Sequence, residues 1–130
     1  MEAIAKSFVL VLLLSLVSHI SFIKIVGFCA CTLNNINIGT TRSGREIGGK
    51  PEWNVVVTNN CACAQTSIVL SCKGFQTTEP VDPAILKKQG DVCRLIMGNL
   101  LDAGASVKFS YAWDPPFLLL PSSSVISGGC

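Results

Sequence analysis

Histidine is almost absent from this chain of 130 residues, since the only one is His19. Because His19 falls inside a predicted secretion signal, the mature chain would contain none. Ser-His and Cys-His nucleophile pairs would then lack their base, and catalytic zinc would lack its usual histidine ligands. The sequence also contains neither a GxGxxG nor a GxxxxGK[ST] phosphate-binding motif. These absences predict a protein that is not an enzyme and that holds no cofactor and no metal.

Charge is also scarce, because Asp, Glu, Lys and Arg together make up 14% of the residues. Without residues 1–29, eight basic and seven acidic side chains remain, which is a net charge of +1. A nucleic-acid-binding domain would show a clear basic excess, so no nucleic-acid partner is predicted. No spacing ties two of the seven carboxylates into the pair that glycoside hydrolysis requires.

The first 29 residues have the pattern of a secretion signal. Lys6 precedes the apolar segment from Phe8 to Val17, and Gly27 and Cys29 fit the small-x-small pattern that signal peptidase recognises. We predict cleavage near residues 27–30, which leaves residues 30–130 as a single disulfide-rich β domain, secreted and without stable membrane insertion. The alternative is an uncleaved anchor, because residues 7–23 contain no Asp, Glu, Lys or Arg and a spanning helix needs about 17 to 25 residues.

Six of the seven cysteines follow this segment, and Cys29 closes it. A domain of about 100 residues has a marginal core, and in an oxidising compartment disulfides commonly contribute about 2 to 4 kcal/mol each. Cys61 and Cys63 would project to the same face of an extended strand, which predicts two different partners for them. Their one-residue spacing is shorter than that of usual zinc pairs, so disulfides are favoured over zinc. The predicted disulfide-forming residues are Cys31, Cys61, Cys63, Cys72, Cys93 and Cys130.

Alternating apolar residues predict an all-β fold. The clearest alternation runs from Val107 to Trp113, and it stops at the Asp-Pro-Pro of positions 114–116. One short helix is predicted from Asp82, as N-cap, to Gly90. Short strands joined by turns favour a small antiparallel β-sandwich or barrel, stapled by disulfides. Other candidate strands lie at 35–38, 53–58, 67–72, 92–97 and 117–120.

Basic residues cluster among glycines between positions 39 and 50. Arg42, Arg45 and Lys50 predict a flexible loop that contacts an acidic partner through arginine–carboxylate pairs, with solvated surface as the alternative interpretation. Lys73 is a fourth candidate partner-binding residue, and Lys87-Lys88 is a second basic patch and a candidate processing site.

Two long segments closely resemble the tapetum determinant family of small secreted plant proteins: CTLNNINIGTTRSGREIGGKPEWNVVVTNNCACAQTSIVLSCKGFQTTEPVDPAILKKQGDVCRLI and FSYAWDPPFLLLPSSSVISGGC. The resemblance spans Cys31 to Cys130 and includes the motifs NIGTTRSGREI, PEWNV, SCKGFQT and YAWDPPF. It implies an apoplastic signalling ligand for a leucine-rich-repeat receptor kinase ectodomain, acting in cell-fate specification during anther, tapetum and reproductive development.

The alternative function is a secreted cell-wall carbohydrate-binding module, since small β-sandwiches commonly bind glycans through exposed aromatic side chains. Tyr111, Trp113 and Phe117 are the residues that distinguish the two functions. Exposed and coplanar rings would favour sugar binding, whereas buried rings would leave binding to polar segments such as residues 42–50. Core packing is the commoner role of aromatic residues at alternating positions.

Overall fold

A computed structural model of the chain describes residues 31–127. The predicted secretion signal, Cys29 and Cys130 lie outside the described residues. Within them, no helix is long and apolar enough to cross a membrane. The elements are a 3-10 helix at Leu33–Asn35, strands β1 at Ile36–Ile47, β2 at Lys50–Asn59, β3 at Gln65–Ser71, β4 at Leu86–Gln89 and β5 at Val92–Leu95, a 3-10 helix at Ile96–Gly98, and strands β6 at Ser106–Ala112 and β7 at Leu120–Ile126.

The strands of residues 31–127 form two antiparallel sheets and not a closed barrel. One sheet has the order β1-β2-β6 and the other has the order β4-β5-β3-β7. Buried side chains from both sheets form a single apolar cluster, as expected for a sandwich. The predicted all-β fold is therefore confirmed, in its sandwich form. Members of the cluster from the two sheets include Val55, Val57, Ile68, Leu70, Leu95, Phe109 and Tyr111.

The period-two pattern of the sequence explains the first sheet. In β2, Val55 and Val57 are fully buried, whereas Asn54 between Trp53 and Val55 is exposed. Val55 lies opposite Phe109 of β6, so the inward positions of the two strands meet across the pair. The strand predicted to end at residue 113 ends at Ala112, one residue earlier.

The helix predicted from Asp82 to Gly90 is wrong. The Asp82 carboxylate does accept a hydrogen bond from the Ala84 N–H at 2.9 Å, as a capping residue would, but the turn ends at residue 85. From Leu86 the chain forms β4, in which Leu86 pairs with Leu95 of β5 and is 5% exposed. A helix of one or two turns is unstable alone, whereas strand pairing satisfies the backbone and buries Leu86.

Two predicted strand ranges also differ from the structure. The candidate strand at residues 92–97 ends at Leu95, and a 3-10 turn follows. The candidate strand at residues 117–120 is irregular until Leu120, where β7 begins and continues through Pro121. Pro121 lies on an edge strand, where proline is found because alternate N–H groups of such a strand face away from the sheet.

Disulfides hold both the edge and the core of the sandwich. Cys31 is bonded to Cys61 with 5.7 Å between their Cα atoms, and Cys72 is bonded to Cys93 with 5.8 Å. Cys63 is disulfide-bonded as well. The expectation that Cys61 and Cys63 have different partners is confirmed, because Cys61 pairs with Cys31.

A buried polar network closes one end of the sandwich. Asn59, at the end of β2, and Gln65, at the start of β3, are both fully buried. The Gln65 Nε2 donates to Asn59 Oδ1 at 3.1 Å, and the Ser124 hydroxyl of β7 donates to Gln65 Oε1 at 2.7 Å. The network therefore joins the two sheets. Asn59 Nδ2 lies within hydrogen-bonding distance of the carbonyl oxygens of Cys63, Leu101 and Asp102, at 2.8, 3.1 and 3.3 Å.

Candidate partner-binding surface

The predicted basic loop is a β-hairpin. β1 and β2 pair from Ile36 opposite Asn59 to Ile47 opposite Lys50, and only Gly48 and Gly49 connect them. Both glycines have positive φ, 61° and 78°, which matches the twist of a two-residue hairpin and disfavours other residues. The expectation of a flexible loop is therefore wrong, because the strand ladder holds the basic residues on a hairpin.

A bulge interrupts the hairpin at the basic residues. Arg42 lies opposite Trp53 and Glu46 lies opposite Pro51, so residues 43–45 of β1 face Glu52 alone. Such bulges bend a strand and redirect its side chains. Inside the bulge, the Ser43 hydroxyl accepts a hydrogen bond from the Arg45 N–H at 3.1 Å. The bulge brings Ser43 and Arg45 beside the Glu52 carboxylate.

Two of the predicted partner-binding cations lie against tryptophan rings. The Arg42 guanidinium carbon is 6.0 Å from the Trp53 ring centroid, and the Lys50 Nζ is 5.0 Å from that of Trp113. The Trp53 Nε1 donates to the Trp113 carbonyl at 2.9 Å, which anchors the Trp53 ring to the backbone at Trp113. We call Arg42, Lys50, Trp53 and Trp113 the cation–tryptophan surface. A cation over the face of a tryptophan ring is attracted by the ring quadrupole.

The third cation, Arg45, lies near a pair of carboxyl groups. Its Nε is 3.8 Å from Glu52 Oε1, and the Glu52 side chain is only 5% exposed although that of Arg45 is 70% exposed. Glu52 also shares a hydrogen bond with the Glu79 side chain. One oxygen of Glu79, Oε2, is buried without a hydrogen-bond partner among the described residues. The two carboxyl groups are 27 positions apart in the sequence, so no local motif predicts their pairing.

The pKa values of Glu52 and Glu79 are shifted in opposite directions. Hydrogen bonds from Ser43 and Glu79, with the charge of Arg45, lower the pKa of Glu52. Burial, followed by the hydrogen bond and the charge of Glu52, raises the pKa of Glu79. A group whose pKa is raised by folding stabilises the fold at low pH, and this stabilisation is lost as pH rises through the raised pKa. A group whose pKa is lowered by folding stabilises the fold at higher pH, and this stabilisation is lost as pH falls through the lowered pKa. The pair therefore stabilises the fold most between its two pKa values, on either side of about 4.5.

This carboxyl pair does not have the geometry of a glycosidase. Retaining glycosidases hold their two carboxyl groups about 5 to 5.5 Å apart, and inverting ones hold them farther apart, so that a sugar or a water fits between. Glu52 and Glu79 instead hydrogen-bond to each other directly, and Glu52 is 4% exposed. The contact between them makes the pair sensitive to protonation.

The fourth predicted cation, Lys73, is separate from the other three. It is exposed in the turn after β3, next to the buried Cys72–Cys93 disulfide of the other sheet. Among residues 31–127, no hydrogen bond or ion pair connects Lys73 with the hairpin. The Lys87-Lys88 patch lies on β4, where Lys88 Nζ donates to the Phe75 carbonyl at 2.9 Å.

The three aromatic residues that distinguish sugar binding from other functions do not form a platform. Tyr111 is fully buried, and its hydroxyl accepts a hydrogen bond from the Phe117 N–H at 2.9 Å. The Tyr111 and Phe117 rings are inclined by 48° to each other, so they are not coplanar. Trp113 is half-buried beside Lys50. These three rings therefore lack the exposed, coplanar arrangement that would favour sugar binding.

Three sulfur atoms lie close together but do not form a metal site. The Sγ atoms of Cys31, Cys61 and Cys63 are within 4.8 Å of one another. All three residues are disulfide-bonded, and a metal would require free thiolates.

Comparison with known protein families confirms the resemblance that the sequence motifs indicate. Residues 23–127 match the family model described as Tapetum determinant 1, C-terminal, and the match includes the whole described sandwich. That description names no catalytic activity. No curated protein and no solved structure matches the chain.

Proposed function

We propose, because this chain belongs to the tapetum determinant family, that it is a secreted signalling ligand for a plant leucine-rich-repeat receptor kinase. Its proposed role is cell-fate specification in the anther and tapetum during reproductive development. Residues 1–29 are proposed as the secretion signal, and residues 30–130 as the active domain in the apoplast. The family match is the observation that carries this proposal.

The shape of the hairpin supports a binding role. Disulfides and a two-residue turn hold Arg42 and Lys50 in place before any partner arrives. Such preorganisation lowers the entropic cost of docking, and solenoid receptors offer extended concave surfaces for small rigid ligands. Arginine is suited to bidentate pairing with partner carboxylates.

The proposal is tested by titrating the oxidised, secreted protein against a panel of plant leucine-rich-repeat receptor ectodomains and wall polysaccharides. We expect saturable binding to at least one ectodomain, weakening as salt rises because the hairpin is cationic. Saturable binding to a polysaccharide alone would overturn the ligand proposal in favour of a carbohydrate-binding module.

A double substitution tests the hairpin itself. We expect Arg42→Ala with Arg45→Ala to weaken ectodomain binding while the thermal unfolding midpoint changes little. Lys108→Ala is the matched control, because Lys108 is an exposed cation on β6, outside the hairpin. A large fall in the unfolding midpoint of the double variant, with unchanged affinity, would assign these arginines a structural role instead.

A further inference from the structure

Edge strands are exposed pairing sites, and proteins usually protect them with short length, lysines, prolines, bulges or a covering segment. Within residues 31–127 the two sheets have four edge strands: β1, β6, β4 and β7. Three of these show such protection. β4 has four residues and carries Lys87-Lys88, and β7 contains Pro121 and two register shifts against β3. The β6 edge is covered at Ala112, whose N–H and carbonyl bond to Thr77 and Thr78.

Over its first seven residues the edge of β1 lacks a proline, a lysine and a bulge, and β7 lies near it without pairing with it. From Ile36 to Arg42 the sequence INIGTTR contains no proline and no lysine, and its register with β2 is regular up to Arg42 opposite Trp53. Among residues 31–127 this stretch pairs only with β2. Beyond the bulge, at the end of β1, the Thr78 hydroxyl donates a hydrogen bond to the Ile47 carbonyl. A row of backbone donors and acceptors is therefore available along Ile36–Arg42.

An apolar groove of about 370 Å³ lies beside this edge. Leu118 in its wall is 79% exposed, an unusual value for a leucine in a small secreted domain. Arg42 stands against Trp53, which lines the groove, so a positive charge lies at one end. The lining residues are Ile38, Thr40, Trp53, Pro116, Phe117, Leu118 and Leu119.

We propose that the free edge of β1 binds an extended, acidic segment of a partner protein as an additional strand. The partner backbone pairs with Ile36–Arg42, one apolar side chain enters the groove, and a partner carboxylate meets Arg42. This is strand addition, in which backbone hydrogen bonds supply affinity and alternate side chains supply specificity. The inference rests on the proposed function and deepens it, since it states the chemistry by which the receptor is recognised.

Charge complementarity selects an acidic partner over a second copy of this chain. Neither Ile36–Arg42 nor the groove lining contains an aspartate or a glutamate. Two copies paired through Ile36–Arg42 would therefore offer Arg42 no carboxylate from the paired stretch or from the groove lining. An acidic strand supplies that charge and forms a charge-assisted hydrogen bond.

The first experiment uses the oxidised protein and a capped seven-residue peptide in which glutamate alternates with valine and leucine. The control peptide has lysine in place of each glutamate. With saturating acidic peptide, we expect amide hydrogen exchange between Ile38 and Arg42 to slow at least tenfold, and exchange in β4 and β6 to stay unchanged. Slowing confined to β7 or β6, or equal slowing by the lysine peptide, would overturn the inference.

Two substitutions test the groove and the charge separately. We expect Leu118→Asp and Arg42→Glu each to weaken acidic-peptide binding about tenfold, the effect of losing roughly one favourable charge-assisted or apolar contact. The matched controls are Val125→Asp, at a valine that is 56% exposed outside the groove lining, and Lys108→Glu on β6. We expect Arg42→Glu to gain affinity for the lysine peptide. Equal losses in the controls would contradict a site at β1.

Receptor binding separates this inference from the proposed function. An ectodomain that binds the wild type and the Leu118→Asp variant equally well would refute the β1 site and leave the ligand proposal intact. Binding of the acidic peptide without binding of any ectodomain would support the β1 site and contradict the ligand proposal. Sedimentation equilibrium of the protein alone covers the self-pairing outcome: a dimer abolished by Leu118→Asp would overturn the acidic-partner inference.

Discussion

Replacement of Asn59 by alanine is expected to destabilise the sandwich strongly, because this fully buried side chain of β2 bonds to Gln65 of the other sheet and to the Cys63 carbonyl. The carbonyl oxygens of Leu101 and Asp102 would keep other donors, the backbone N–H groups of Gln65 and Ala105, each at 3.0 Å. The Cys63 carbonyl would lose its 2.8 Å donor, and Gln65 Nε2 would lose its acceptor.

Two buried hydrogen bonds of the Asn59 side chain would thus be lost, one to the Cys63 carbonyl and one from Gln65 Nε2. Each costs about 1 to 3 kcal/mol, and a water entering the vacated space would restore part of that energy. We therefore expect Asn59→Ala to lower the free energy of unfolding by about 3 kcal/mol. That is a large share of the roughly 5 to 15 kcal/mol that stabilises a typical domain.

Equilibrium urea unfolding of the oxidised protein, followed by tryptophan fluorescence, measures this change. Asn54→Ala is the matched control, because Asn54 is an exposed asparagine of the same strand whose side chain accepts one hydrogen bond from Ser110 at 2.7 Å. We expect the control to cost less than about 1 kcal/mol, as surface substitutions usually do. The denaturant slope should be unchanged in both variants.

A double-mutant cycle sharpens the assignment. Gln65→Ala removes the Nε2 that Asn59→Ala leaves unsatisfied, so the double variant should cost less than the sum of the single variants, by about 1 kcal/mol or more. The reasoning is refuted if Asn59→Ala costs under about 1 kcal/mol, or if the two substitutions are strictly additive.

Three further predictions address the acid pair, the remaining disulfide and the buried tyrosine. Glu79→Gln should raise the thermal midpoint at pH 7 relative to wild type but not near pH 4, because its proton is lost above its raised pKa; an equal gain at both pH values would contradict this. Cys63 should be found bonded to Cys130 in non-reduced peptide mapping by mass spectrometry, since the backbone N–H of residue 127 bonds to the carbonyl of residue 64 and β7 runs past β3 there; a Cys29–Cys63 peptide would refute it. Tyr111→Phe should cost about 1 to 2 kcal/mol in urea unfolding, because the Phe117 N–H loses its acceptor, and no change would show that water replaces the hydroxyl.

Where side chains alternate cleanly, the sequence was sufficient to predict the strands. β2 and β6 follow from period two because each buries one face against the same core, as Val55 and Phe109 do. The helix prediction after Asp82 was wrong although its local signals are present in the structure, including the hydrogen bond from the Ala84 N–H to the Asp82 carboxylate. Pairing of Leu86 with Leu95 outweighed them, and that contact is tertiary.

The sequence predicted which residues belong to the candidate site but not how they are arranged. Arg42, Arg45 and Lys50 are visible as a basic cluster, and their glycines correctly mark a turn. Their division between tryptophan rings and the Glu52–Glu79 pair depends on the bulge register and on a residue 27 positions away. Lys73 is separated from them because it follows a strand of the other sheet.

The sequence by itself determined the family, the all-β class and the absence of histidine chemistry after residue 19, because motifs, periodicity and composition are local properties of the chain. The tertiary structure alone decided which surfaces are available. It buried Tyr111, joined Glu52 to Glu79 and left the edge of β1 unpaired among the described residues. Those outcomes depend on which strands meet across the two sheets, and residues distant in sequence jointly set that pairing.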